Sequence, residues 1–125
     1  MISFAQFLPE EGIPIYLQIL RHVKRGIVSG AVADGDMLPS RRELSALLGV
    51  NPNTVQKAYR ILEEEGLIAS HTGARSCVGV DDLRTAQSRE ELLAADIRAA
   101  VAAMKQMGLT PQEASALIAK YWEEI

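Results

Sequence analysis

Asn51, Asn53, Thr54, Gln56, Lys57 and Arg60 fall within ten residues of one another, and their chemistry is of one kind. Amides and hydroxyls exchange hydrogen bonds with the edges of base pairs, whereas Lys and Arg hold phosphate oxygens. Val55, Ala58, Tyr59 and Leu62 recur between them at helical spacing, which predicts one helix with an apolar face and a polar, cationic one. Asn51 is placed to cap that helix, and Pro52 suits its first position, where a missing N–H costs nothing. The short polar side chains therefore lie at the amino end, which attracts phosphate by itself. Glu63, Glu64 and Glu65 crowd the other end, where they repel phosphate and oppose the helix dipole. The contacting end is predicted to be the amino one.

The elements that must position this face can be read on either side of it. Ser40 with Glu43 spells a capping box ahead of Leu44, Leu47 and Leu48, and Gly49 supplies the left-handed stop, so a short helix should precede the polar one with only Gly49 and Val50 between them. Ser40, Arg41 and Arg42 at its start join the candidate contacts. After a stop at Gly66, residues 67–69 and 76–80 can pair as a hairpin around His71, Thr72, Gly73, Ala74 and Arg75. Thr72, Gly73 and Arg75 are then candidates at the tip, with Arg75 near phosphate or the minor groove. Upstream, Pro14 opens a helix whose stripe of Tyr16, Ile19, Leu20, Val23 and Ile27 ends near Gly30. Asp34, Gly35 and Asp36 form a turn, Met37 and Leu38 a short strand, and residues 1–12 an arm with no structural signature. Helix, turn, helix and hairpin in this order describe a winged helix-turn-helix over residues 1–80.

Residues 81–125 differ in character. A polar stretch leads to a second capping box, Ser88 with Glu91, and a long helix carrying Leu93, Ile97, Val101 and Met104 on one side to a stop at Gly108. Thr110, Pro111 and Glu113 restart a helix that presents Leu117, Ile118, Tyr121 and Trp122. Two such helices enclose no core alone, so these eight apolar residues must meet the winged module or a second copy of the chain, and a two-fold homodimer, the commonest solution, is expected. The fold class is thus mainly α with a small β-hairpin wing and a helical dimerisation tail.

Composition restricts the function. The chain has 125 residues and a net charge of −3, but residues 1–78 balance eight Lys or Arg against eight Asp or Glu, so the acidity belongs to the tail. Residues 38–62 set Arg41, Arg42, Lys57 and Arg60 against Glu43 alone, a basic patch where the candidate contacts lie. A single Cys77 allows no internal disulfide, no Cys/His cluster has metal-ligand spacing, and no cofactor is expected. No leader pattern or bilayer-length apolar run is visible, which predicts a cytoplasmic protein with no membrane partner. Nucleophile elbow, phosphate-cradling loop and convergent acid–base set are all missing from the pattern, so no enzyme is expected.

These residues resemble the GntR family of bacterial regulators, whose winged domain carries a leucine-proline-serine-x-arginine-x-leucine run, here residues 38–44, and a glutamate-glycine-leucine close to its recognition helix, here Glu65, Gly66 and Leu67. The wording of residues 50–59 and the short two-helix tail look like the YtrA-type branch. The resemblance implies DNA contact through Arg42, through Asn51, Asn53, Thr54, Gln56 and Lys57, and through Gly73 at the wing. It departs from the family at the wing, where the usual arginine and second glycine are missing and Cys77 stands in place of an aromatic residue. Arg75 would then supply the missing charge from a shifted position.

The expected function is a homodimeric, sequence-specific transcription regulator, a repressor by preference, with two recognition helices in successive major grooves of an inverted-repeat operator. A winged helix used for protein association, without specific DNA binding, is the alternative. A tail of this length is too small for a separate effector domain, and the sequence names no effector.

Overall fold

In the computed structural model, residues 2–70, 75–79 and 82–125 are described. The chain forms α1 (Ile15–Ser29), α2 (Arg41–Leu48), α3 (Pro52–Glu64), β1 (Ile68–Ala69), β2 (Cys77–Val78), α4 (Asp82–Gln106) and α5 (Pro111–Trp122). Two compact units emerge, Met1–Arg89 and Glu90–Ile125, with α4 beginning in the first and ending in the second.

In the first unit α3 is the hub, packed against α1, α2 and β1. Its Val55, Ala58, Tyr59 and Leu62 meet Ile19, Leu20, Val23 and Ile27 of α1 and Leu44 of α2 in one buried cluster. Each fully buried aliphatic side chain here contributes about 1.5–3 kcal/mol relative to exposure. The helix ends follow local chemistry. Ser40 accepts from the Glu43 N–H at 3.1 Å and Asn51 from the Asn53 N–H at 2.8 Å, while Gly49 stops α2 at φ +67°. Ser45, buried beneath the α2–α3 turn, donates its hydroxyl to the Val50 carbonyl, and the Val50 N–H returns to the Ser45 carbonyl at 3.1 Å. That exchange clasps the turn and fixes the angle at which α3 leaves it.

Strands β1 and β2 pair antiparallel, Ile68 with Val78 and Ala69 with Cys77. The returning strand is shorter than expected, and the strand predicted at Met37 and Leu38 is reduced to a bridge between Met37 and Cys77. Two further bonds, Leu38 N–H to Ser76 O at 2.9 Å and Val78 N–H to Asp36 O at 2.8 Å, hold the wing base to the chain entering α2.

The structure revises the reading of Ser88 and supplies what the sequence left open at the amino-terminal arm and around Leu47. Residues 2–12, an arm of uncertain structure by sequence, are tied to the core: Ile2 and Phe4 are buried in it, and the Ile2 N–H donates to Met37 O at 2.8 Å. The Phe4 and Phe7 rings close on His22 of α1, with centroids 4.6 and 5.5 Å away, and the His22 Nε2 meets Ser3 O at 2.8 Å. The Gln18 amide exchanges hydrogen bonds with the Glu10 backbone and donates to Ile13 O at 2.8 Å, which ties the rest of the segment down. Leu47 points to solvent, since α2 buries only the Leu44 side of its turn fully. Ser88 caps nothing, because α4 is already under way from Asp82.

The second unit has no buried apolar side chain among its described residues. Thr110 and Glu113 form a complete capping box around Pro111, so α5 starts as predicted, yet Leu93, Ile97, Val101, Leu117, Ile118, Tyr121 and Trp122 remain exposed, and Met104 is half-buried. Beside them an open apolar groove of about 260 Å³ is lined by Val101, Met104, Leu109 and Ile118. No helix among the described residues is long and apolar enough to cross a membrane.

Candidate nucleic-acid interface

Burial of one side of α3 dictates what the other side shows. With Val55, Ala58, Tyr59 and Leu62 turned inward, Asn53, Gln56, Lys57 and Arg60 are carried outward and all four are exposed. They occupy positions i, i+3, i+4 and i+7, a single stripe down the helix. Asn51 is exposed as the cap, and Thr54, half-buried behind it, sends its N–H to the Asn51 carbonyl at 2.9 Å. The first turn of α3 therefore presents short polar side chains and the positive end of the dipole in one place.

The cations around this stripe are held in different ways. Arg42 is exposed on α2 and has no partner among the described residues. Lys57 lies over the Tyr16 ring, its Nζ 4.0 Å from the centroid, so its stem is folded toward α1 while its charge stays at the surface. Arg60 stands 3.8 Å from Glu64, an exposed i,i+4 pair of little energetic weight. Arg41, at the start of α2, turns to α3: its Nε donates to the Gln56 Oε1, its Nη2 lies 3.5 Å from the Glu63 carboxylate, and its guanidinium sits 5.4 Å from the centre of the Tyr59 ring. Ser40 has its hydroxyl engaged as the α2 cap.

At the wing, Arg75 pairs with the Glu43 carboxylate of α2 instead of standing at an open tip. Glu43 consequently gives only its N–H to the Ser40 cap, and the reciprocal half of the predicted capping box is replaced by the ion pair. Thr72 and Gly73, together with His71 and Ala74, lie outside the described residues.

Sequence patterning missed the partners of the acidic end. Glu63 receives Arg41 and also the Ser70 hydroxyl, which contacts the Ser76 hydroxyl at 2.9 Å across the wing base. Glu65 pairs with Lys24 of α1 at 2.8 Å, and its carbonyl accepts from the Arg84 guanidinium at 2.7 Å. The Lys24 ammonium and the Arg84 guanidinium thus supply positive charge where the helix dipole ends negative. Only the glutamate run was visible in sequence, since its partners lie 22 and 41 positions away for Arg41 and Lys24. Tyr59, apolar by pattern, also uses its polar end: the buried hydroxyl donates to Pro39 O at 2.7 Å, and burial pushes its ionisation well above the ordinary tyrosine range.

Comparison with known proteins bears on the family and the fold. Residues 15–78 match the model of the family described as bacterial regulatory proteins, gntR family. The HTH-type transcriptional repressor YtrA of Bacillus subtilis is 46% identical over 68 residues, which are 54% of this chain and 52% of that repressor, so the match spans about half of its length. The uncharacterized HTH-type transcriptional regulator YhcF of the same organism is 35% identical over 105 residues, 80% of this chain and 83% of that protein. Among solved structures, a GntR family transcriptional regulator from Listeria monocytogenes superposes with a TM-score of 0.75 at 31% identity, covering 90% of this chain and 98% of that one. The DNA-binding domain of AraR in complex with operator ORE1 gives 0.51 at 29% identity over 58% of this chain and 89% of that one.

Proposed function

Because the chain belongs to the gntR family of bacterial regulatory proteins, transcriptional regulators built on a DNA-binding winged helix-turn-helix, we propose that it acts as a homodimeric repressor that seats two copies of α3 in successive major grooves of an inverted-repeat operator. The observation that carries this reading is the exposed stripe of Asn53, Gln56, Lys57 and Arg60 below the Asn51-capped amino end. Arg42 grips phosphate at the mouth of the groove, Asn53 and Gln56 read base edges, and Lys57 and Arg60 hold the flanking backbone. Half-sites lie about 10 bp apart or a near multiple, so that both helices meet one face of the duplex. Repression follows from occupying the promoter.

The apolar faces of α4 and α5 join the two copies. Exposed Ile97, Val101, Ile118 and Trp122 on helices that enclose no core of their own support that assignment. The protein works in the cytoplasm, uses no cofactor and carries out no catalysis. The deciding experiment measures binding of the full chain to its own promoter fragment and to random duplex across a salt series. A specific regulator prefers the promoter by about 10³-fold or more and loses affinity steeply with salt. Equal, salt-insensitive binding to both sinks the proposal and leaves a protein-association role.

A further inference from the structure

We infer that Arg41 is a positioning residue that orients the Gln56 amide, so that Gln56 offers the major groove a hydrogen-bond donor and selects a keto base, guanine or thymine, over adenine or cytosine. The inference rests on the reading of α3 as the DNA-contacting helix. Gln56 is exposed in the middle of the α3 stripe, and its Oε1 accepts from the Arg41 Nε. A guanidinium has five donors and no acceptor, so only the amide oxygen can face it. The Nε2 group is left to face outward.

An unrestrained glutamine reads adenine with both amide atoms, accepting from N6 while donating to N7. Here the acceptor half is turned toward α2, and that two-atom match is lost. A lone NH2 donor is satisfied by guanine O6 and N7 or by thymine O4, whereas adenine keeps only N7 beside an opposing N6 amino group and cytosine offers only its N4 amino group. The fork of the code thus becomes keto against amino.

Arg41 is held well enough to impose this. Its guanidinium lies against the Tyr59 ring at 5.4 Å, and that ring is itself anchored by its hydroxyl on Pro39 O at 2.7 Å. Glu63 approaches the far end of the guanidinium at 3.5 Å and carries compensating charge.

The test is enrichment of duplexes from a randomised half-site library by the full-length protein and its variants, with melting curves to verify folding. The wild-type protein should enrich guanine or thymine in one column of each half-site, and Gln56→Ala should flatten that column alone. Arg41→Met keeps a long apolar stem on Tyr59 but removes the donor, and should move the same column toward adenine by about tenfold, leaving the others unchanged. Gln56→Glu, an acceptor only, should reverse the preference toward cytosine or adenine and stays informative if Arg41→Met does not fold. A wild-type column that reads adenine, or a column untouched by Arg41→Met or by Gln56→Glu, overturns the role of Arg41. Failure of the wild-type protein to enrich any sequence removes the DNA-reading assignment itself, and this inference with it.

Discussion

The Tyr59 hydroxyl donates to the Pro39 carbonyl at 2.7 Å inside the core, one hydrogen bond joining the middle of α3 to the residue that precedes the Ser40 cap of α2. Tyr59→Phe keeps the packing and orphans that carbonyl, and unfolding free energy should fall by about 1–2 kcal/mol. Burial raises the hydroxyl's ionisation above its unfolded value, so the folded state holds this proton more tightly. Its contribution is complete below about pH 10 and declines as pH rises beyond it. Denaturant melts at pH 8 and above pH 10 should show a steeper alkaline loss in the wild type than in Tyr59→Phe. Equal slopes would contradict the assignment.

Phe4 anchors the amino-terminal segment in the core beside His22. Truncation to Ala should cost about 3–5 kcal/mol, the range for a buried aromatic residue. A loss below 1 kcal/mol in chemical denaturation would show that the segment is peripheral.

Gly66 ends α3 at φ +76°, and a Cβ there would stand 2.7 Å from the Arg84 guanidinium. Gly66→Ala should cost about 1–2 kcal/mol from the left-handed backbone alone, with more from displacing Arg84. In the double variant with Arg84→Ala the steric part should vanish and the backbone part persist, which thermal melts of the two singles and the double can separate.

Asn53 and Lys57 lie on one stripe but should fail differently. Asn53→Ala is expected to weaken the cognate operator by about 1–3 kcal/mol and relax selection at one base pair. Lys57→Ala should weaken every duplex alike and lower the slope of log affinity against log salt by about 1. Identical profiles for both variants would argue against direct readout.

Ile97→Asp places a charge on the exposed apolar face of α4 within the second unit. On the proposed assembly, sedimentation should show a wild-type dimer and a monomeric variant, and operator affinity should drop by about 10²-fold or more as the second contact becomes a separate event. A variant that stays dimeric would move the interface elsewhere.

What could be read in the sequence is what is local. The caps at Ser40, Asn51 and Thr110 depend on spacings of two or three residues and appear where expected, as does the inward face of α3. Ser88 with Glu91 carries the same spelling but lies within α4, because a cap has meaning only where the preceding residues are not already helical. Ile2 and Phe4 have no periodic context, and their burial depends on the cavity that α1 and Met37 leave beside them. The pairings of Arg41 with Gln56 and of Glu43 with Arg75 join elements 15 and 32 positions apart. Periodicity tells which way a side chain faces, whereas the identity of its partner is decided by how the elements pack.

The carboxylates of Glu63, Glu64 and Glu65 each face a different cation, Arg41, Arg60 and Lys24. On the proposed reading, exchange of any one for a neutral residue removes a repulsion toward phosphate and releases a positive charge in the same step, and should raise affinity for random duplex. On that reading, acidity at this end of the helix restrains non-specific adhesion, leaving discrimination between sequences to the opposite end.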